Sequence, residues 1–579
     1  MASFFSRYIP ILEWLPAYRK SNLGGDLTAG LTVGVMLIPQ GMAYAMIAGL
    51  EPIHGLYAVT VPLLLYAIFG SSRQLAVGPV AMVSLLTAAG IASLEPESGE
   101  QYLLYALTLA FMVGVLQFGM GLLRLGFVVN FLSHPVISGF TSAAAIIIGL
   151  SQFKHLLGIP LPQSEKAQEV VYAIIQQAGD IHLLSLAVGV GAMLILLFSK
   201  RIHPYFPAAL AAVVFGILLT WLLGLHEDGL RIVGSVPGGL PELSSPTFEV
   251  EAWRQLLPIA LTISLVGFAE SYAVAKAVHR RHKDEYQLDA NQELVALGMA
   301  NFGAAFFQGY PVTGGFSRTA VNDKAGARSN LASLVSATLI VLTLLFLTAL
   351  FFYLPNAVLA AIVVVAVAGL IDVKEAKILW KRDRSDFFML LATFVSTLSL
   401  GIEVGILTGL VLSLVMVIFR ASRPHMAILG RVPGTSTFRN VKRFEGLETN
   451  DDLLLVRIDG PIYFANVDYI KAKLDKWVAR KGPSLRMIVI NMESVPRLDS
   501  TGAHAIFDWL SSWRAVGIDV CMSSVKGPVR DVLQRWQLPK AMGEDHFFLD
   551  DDTALAAFHD RLDKERSERL QPYTTQVNP

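Results

Sequence analysis

The sequence predicts a polytopic α-helical membrane protein of about fourteen segments, built as a 7+7 inverted repeat with two half-helices and followed by a small cytoplasmic α/β domain. Three observations carry that prediction. The 579-residue chain is 54% hydrophobic and only 16% charged, too apolar for an ordinary soluble enzyme. Apolar stretches recur along its first three quarters, whereas nearly half of the charged residues fall after about position 425. Two of the apolar stretches are short, open on Gly/Pro-rich sequence and occupy matching places in the two halves.

The N-terminus, with Pro10, Glu13, Pro16, Arg19 and Lys20, lacks the order of a cleavable secretory signal, so the first span is expected to stay uncleaved. Apolar segments are read near 27–46, 53–69, 79–94, 101–123, 127–152, 181–199, 205–224, 255–277, 288–307, 316–325, 331–352, 354–371, 385–401 and 403–420. Most approach the ~20 residues that cross ~30 Å of hydrocarbon; 79–94 and 316–325 do not, and these are the predicted half-helices. With the N-terminus inside, about twenty Lys and Arg lie on the cytoplasmic side, among them Arg19, Lys20, Arg73, Arg124, Arg280, Arg281, Lys283, Lys381, Arg382 and Arg420. About four (Lys154, Lys166, Arg231, Arg254) then fall outside. The asymmetry places both ends in the cytoplasm and makes the number of crossings even; twelve would satisfy it as well as fourteen.

Cut after the seventh segment, the chain has Val77-Gly78-Pro79-Val80-Ala81 opening the third segment of one half and Phe316-Ser317-Arg318 opening the third of the other. An odd number of spans per half inverts the repeats. Interrupted helices so placed point to a transporter's binding site, because their N-termini meet near the midplane, each with unpaired N–H groups and about half a positive charge. The same glycines and prolines could instead be kinks or packing points. Arg318 weighs against that: a guanidinium at membrane depth costs roughly 2.5 to over 10 kcal/mol, so it marks an ion path by default.

These motifs resemble the SulP family of anion transporters, often called sulfate permeases, which end in a cytoplasmic STAS domain. The resemblance runs through Gly30 to Ala45, Gly55-Leu56-Tyr57, Gly70-Ser71-Ser72-Arg73 and Val77 to Ala81, then Asn291-Gln292-Glu293-Leu294, Gly298 to Asn301 and the stretch around Arg318. It implies a core domain (segments 1–4 and 8–11), a gate domain (5–7 and 12–14), elevator-like alternating access and a homodimer. Ser329 stands where the family commonly has threonine, a conservative change.

Gln40 and Tyr44 are four apart and share one helix face, where both can donate to an oxyanion, in agreement with their place in the family; the alternative is a Gln40 that satisfies nearby backbone and a Tyr44 that packs. Val80 and Ala81 offer backbone N–H groups. Phe316 and Ser317 open the tenth segment, and Arg318 either contacts substrate or supports it electrostatically. Glu270 is the other unexpected charge: burial favours a neutral carboxyl and a nearby guanidinium an ionised one, so it is the candidate proton carrier or else a fixed partner of Arg318. The resemblance favours protons over sodium, since plant proton-coupled sulfate symporters carry glutamate at the matching place and a sodium-coupled cyanobacterial bicarbonate branch carries aspartate. Glu51, Arg73, Glu293, Asp323 and Glu403 lie at predicted span ends, where solvated or capping roles are expected, and His279 to Glu285 reads as a positive-inside loop rather than a metal site.

After Arg420 the pattern becomes β–α: strands at 453–459, near 462–464, at 487–490 and at 518–523, and helices at about 466–480, 501–516 and 527–537. Leu498 to Gly502 resembles the loop-to-helix motif of STAS domains, whose bacterial relatives are phosphorylated at the matching serine; Asp499 and Ser500 are thus possible regulatory positions, with a helix N-cap the plainer role. The domains are read as 1–425 in the membrane, 436–566 as STAS and 567–579 as a tail. With one cysteine, Cys521, the chain can form no internal disulfide or thiolate metal cage. No Walker A, zincin or G-x-S-x-G pattern accompanies the spans, so ATP-driven transport is not expected; the reading is of a transporter rather than an enzyme, with no cofactor and no nucleic-acid partner.

The expected function is proton-coupled sulfate uptake across a bacterial-type inner membrane, with a small inorganic or organic anion, a coupling proton or sodium, membrane lipids and a second copy of the chain as partners. Bicarbonate or dicarboxylate transport, by symport or exchange, is the near alternative, and a channel-like chloride conductor a looser one. A membrane-anchored signalling scaffold is the alternative from another class.

Overall fold

The structure is a computed structural model describing residues 9–127, 133–161, 166–202, 207–282 and 285–574. The chain divides into two compact units, Met1–Ser413 and Leu414–Pro579.

Among the described residues, fourteen helical segments answer the apolar stretches. They are segment 1 (Leu23–Ile47), segment 2 (Pro52–Tyr57 and Val61–Phe69), segment 3 (Ala81–Ala92), segment 4 (Gly99–Leu122), segment 5 (His134–Ser151), segment 6 (Leu183–Ile202) and segment 7 (Ala208–Leu223). The second half supplies segment 8 (Val250–His279), segment 9 (Ala290–Phe306), segment 10 (Phe316–Lys324), segment 11 (Leu331–Phe346), segment 12 (Asn356–Ala368), segment 13 (Arg384–Leu400) and segment 14 (Ile402–Ser422). Segments 3 and 10 have only 12 and 9 residues, so at 1.5 Å per residue they reach about 18 and 14 Å, roughly halfway through the hydrocarbon. Each follows a two-residue strand, β1 (Val77–Gly78) or β2 (Thr313–Gly314). Close crossings rest on small residues: a Cβ on Gly41 would lie 2.9 Å from the Gly55 carbonyl oxygen, so segment 1 passes segment 2 only because both positions are bare.

Among the described residues, two ten-residue helices fall where the sequence reading has connections, Ala167–Gln176 and Val373–Arg382. Both are too polar and too short for a span. Span-end charges are less solvated than expected. Glu293 is fully buried and accepts from the Tyr66 hydroxyl (2.8 Å), the Ser71 amide (2.8 Å) and hydroxyl (2.7 Å) and the Ser72 amide (2.9 Å), which fixes the turn leading from segment 2 to β1. Asp323 is likewise enclosed, paired with Arg281 at 2.6 Å and His282 at 2.7 Å. Arg73 lies over the Tyr286 ring, and Glu51 is exposed. The side chain of Glu403, and Lys283 and Asp284 of the basic loop, lie outside the described residues.

The second unit is a six-stranded sheet, order β4-β3-β5-β6-β7-β8, from β3 (His425–Arg431), β4 (Phe438–Asn440), β5 (Leu453–Asp459), β6 (Met487–Asn491), β7 (Asp519–Ser523) and β8 (Phe547–Phe548). Strands β5 to β8 are parallel; β3 runs antiparallel to β4 and β5. Continuous apolar strands serve a sheet covered on both faces. Leu454, Val456, Ile488 and Val520 pack under helices Val467–Lys481 and Ser500–Arg514, while Leu455, Val489 and Cys521 pack under Ala554 and Phe558 of helix Asp551–Thr574.

Two expectations are corrected here. Residues 462–464 are no strand: Ile462 makes a single bridge to Leu498, because Pro461 has no N–H to give a ladder and the chain turns at once into Asn466. The sheet also begins ahead of residue 436, since β3 completes it beside β5, and helix Asp551–Thr574 runs past 566; residues 575–579 of the tail lie outside the described residues.

Candidate functional site

The two interruptions of the membrane unit form one ribbon. Strand β1 pairs antiparallel with β2, Val77 opposite Gly314 and Gly78 opposite Thr313. Around it the Gly315 amide donates to the Ala76 carbonyl (3.0 Å), the Ala76 amide to Thr319 Oγ1 (3.0 Å) and Asn322 Nδ2 to the Gln74 carbonyl (2.9 Å). The starts of segments 3 and 10 are therefore tied across the two repeats.

Both starts lack a side-chain cap. The N-cap residues, Val80 and Gly315, have extended backbone and no oxygen turned onto the first helical amides, and the first intrahelical bonds are Ser84 to Val80 (2.9 Å) and Thr319 to Gly315 (3.1 Å). The N–H groups at Ala81 and its successors, and at Phe316 to Arg318, are thus open to a ligand, with the dipoles of both helices favouring an anion.

Arg318 is 2% exposed. Its Nη1 donates to the Pro79 carbonyl at 2.7 Å, reaching back to the chain entering segment 3, while Nε and Nη2 have no protein partner. Gly315 makes room for it, for a Cβ there would lie 2.7 Å from Nη2. Tyr44, Glu270 and Tyr310 lie within Coulombic reach of the guanidinium. No ion pair joins Arg318 to Glu270 among the described residues, and Glu270 Oε2 is buried without a hydrogen-bond partner. Glu270 and Phe316 line a cavity of ≈ 220 Å³ whose walls come from Met82 and Ala273 on one side and Phe140 and Ile406 on the other. Ser317 and Phe316 are exposed at the helix start. Gln40 and Tyr44 are buried one turn apart on segment 1, and neither polar group bonds to protein among the described residues, so the alternative of a Gln40 that satisfies backbone is not observed.

Sequence reasoning missed the clamp that aligns these parts. Thr313 Oγ1 donates to the Gly267 carbonyl (2.7 Å) and lies 2.6 Å from Ser271 Oγ, which also receives the Gly314 amide (2.7 Å). The segment that carries Glu270 is thereby fastened to the ribbon. Asn301 secures its other end, accepting from the Val312 amide (2.9 Å) and donating to the Val312 carbonyl (3.1 Å) and Gln117 (3.0 Å). Polar residues beside Glu270 and in Tyr310 to Thr313 were the available signal. In the second unit Asp499 is the N-cap of helix Ser500–Arg514, accepting from the Gly502 amide at 2.7 Å, and Ser500 is exposed beside Arg497 and Trp536.

Two half-helices joined at their starts by a ribbon in a multi-pass bundle, with a buried arginine at the junction, define a membrane transporter for anions. The chain belongs to the sulfate permease family, whose model matches residues 23–393, and a STAS domain matches residues 446–554. "Probable sulfate transporter 4.2" of Arabidopsis thaliana is 40% identical over 558 residues, 93% of this chain and 82% of that protein. The murine Solute Carrier 26 family member A9 anion transporter in the inward-facing state is similar at a TM-score of 0.89 and 26% identity, over 96% of this chain and 95% of that one. The transmembrane domain of the cyanobacterium bicarbonate transporter BicA is similar at a TM-score of 0.58 and 26% identity, over 68% of this chain and 98% of that domain.

Proposed function

We propose that the protein takes up sulfate together with protons, holding the anion between the N-termini of segments 3 and 10. The observation that carries this reading is the arginine between two uncapped helix starts: Arg318 keeps Nε and Nη2 without protein partners where about half a positive charge arrives from each helix. The 40% identity to a plant protein named a sulfate transporter supports sulfate as the anion.

In this mechanism the backbone amides beginning at Ala81 and Ser317, the Ser317 hydroxyl, Gln40 and Tyr44 donate to the oxyanion, and Arg318 balances one of its charges. Val80 and Phe316 shape the entry. Protonated Glu270 removes the negative charge that would oppose a dianion, so anion and proton bind together and leave together. Segments 1–4 and 8–11 act as the carrier, moving against segments 5–7 and 12–14. The protein works as a homodimer in the inner membrane of a bacterial-type cell, with both termini in the cytoplasm and the STAS domain in a contact and regulatory role at Asp499 and Ser500.

Likeness to a bicarbonate transporter's membrane domain favours one second reading, bicarbonate as the substrate. Radiolabelled uptake into proteoliposomes, with sulfate, bicarbonate and fumarate compared under separately imposed proton and sodium gradients, tests both. Sulfate accumulation driven by an inward proton gradient is expected; sodium-driven bicarbonate uptake with no sulfate uptake would replace the proposal.

A further inference from the structure

Helix Val373–Arg382 connects segments 12 and 13 and is not itself a span. Its start is fixed by Asp372, which accepts from the Glu375 amide at 2.9 Å, and it is held to segment 5 by the Asp372 amide on Ser142 (3.1 Å) and by Glu375 on His134 (3.4 Å). Leu379 is the residue it buries. At 100° per residue Lys374, Lys377 and Lys381 fall on one stripe, with Val373 and Trp380 beside it. All three lysines are exposed and none has an ion-pair partner among the described residues; Val373 is 55% and Trp380 50% exposed, and the Arg384 guanidinium lies over the Trp380 ring. A recess between Lys377, Lys381, Arg382, Trp380 and Phe387 opens beside the stripe.

We infer that this helix is a binding site for the phosphate of an anionic phospholipid. Charge complementarity selects that occupant. The acids of the same stretch are turned elsewhere, Asp372 and Asp383 capping helix starts and Glu375 lying beside His134, so the three ammonium groups face outward without a carboxylate partner among the described residues. They do so on the connection between segments 12 and 13, at the end of two spans, where lipid headgroups lie. The indole and valine flank takes the glycerol and upper acyl chain, as aromatic residues do at the membrane interface, and the lysine stripe takes the phosphate. The site is independent of which anion is carried.

Native mass spectrometry of the full-length protein, equilibrated in detergent with phosphatidylglycerol or phosphatidylcholine, tests this. Wild type is expected to retain phosphatidylglycerol preferentially, and Lys374→Gln, Lys377→Gln and Lys381→Gln together to lose the preference by about fivefold per lysine. The matching triple Lys→Arg variant, which keeps the charge, retains it, and Lys476→Gln in the soluble domain leaves it unchanged. Equal retention of the two lipids by wild type, or an undiminished preference in a monodisperse triple Gln variant, overturns the assignment. Displacement of the lipid by an acidic peptide but not by excess phosphatidylglycerol would also overturn it, in favour of a protein partner.

Discussion

Arg318 can donate five hydrogen bonds and gives one of them to protein, at Pro79. Replacing Arg318 with Ala is therefore expected to lower sulfate uptake by roughly two orders of magnitude, as when one partner of a buried charge pair is removed, while the detergent-purified variant elutes and melts like wild type. Uptake near the wild-type rate would remove the charge from the mechanism. Glu270 has a different signature. Wild-type uptake should rise as external pH falls and Glu270→Gln should flatten that profile, because an amide keeps the shape of the protonated acid and cannot release its proton; a variant that kept the full pH response would exclude Glu270 as the carrier. Both charges were legible in the sequence, since either is anomalous in an apolar setting. Thr313 and Ser271 were not, because a hydroxyl in a membrane helix is commonplace until its partner, 42 positions away in the chain, is known. Ser329 is of the same kind: its hydroxyl donates to Asp26 at 2.7 Å, a bond the family's threonine could also make.

At the scale of elements, apolar run length located all fourteen segments, and the Gly/Pro-rich openings located the half-helices. What run length cannot convey is pairing. The contact of β1 with β2 joins positions in opposite halves of the chain, and two residues carry too little pattern to be called a strand. The clamp on the ribbon gives an expectation at this scale. Thr313→Val keeps the shape but leaves the Gly267 carbonyl and Ser271 hydroxyl short of a partner, which costs about 1–3 kcal/mol. A lower melting temperature is expected together with a raised KM for sulfate, measured by uptake; a lowered melting temperature with unchanged KM would make the clamp a matter of stability alone. The amphipathic helix Val373–Arg382 escaped notice for the opposite reason, its lysines hiding a short apolar face within a basic loop.

For the molecule as a whole, the sequence separated the membrane segments from the C-terminal domain by charge density yet began that domain at 436, after β3, because a short apolar strand that follows segment 14 across only the Arg423-Pro424 link is hard to tell from the end of the span. A chain ending at Ser422 removes the sheet completely, whereas one ending near 435 would strand β3 without β5. The shorter chain is expected to keep anion uptake in proteoliposomes, at a reduced rate; loss of all uptake there, with Arg318→Ala still active in the full chain, would favour the scaffold. The soluble domain carries its own pH dependence. His546 is raised above its usual value by the hydrogen bond to Asp519 (2.9 Å). Asp519 is raised by burial but lowered further by His546 and Arg561, and ends below the usual range. The histidine's contribution is complete below about pH 6.5 and fades as pH rises through its higher folded value. The aspartate's is complete above about pH 4 and fades as pH falls through its lower one. Arg561 of helix Asp551–Thr574 bonds the same carboxylate at 2.8 Å, so hydrogen exchange of that helix should quicken as pH rises above about 6.5. Exchange that did not quicken over that rise, after correction for the intrinsic rate, would show the histidine to be irrelevant there.

Ordinary loops drift in length as sequences diverge, but the turns before segments 3 and 10 are denied that freedom. Val77 faces Gly314 across a pleat whose side chains alternate, so one codon gained or lost in either turn would swing Pro79 away from the guanidinium it receives. Such a deletion could be tolerated only with a matching edit in the opposite half of the gene.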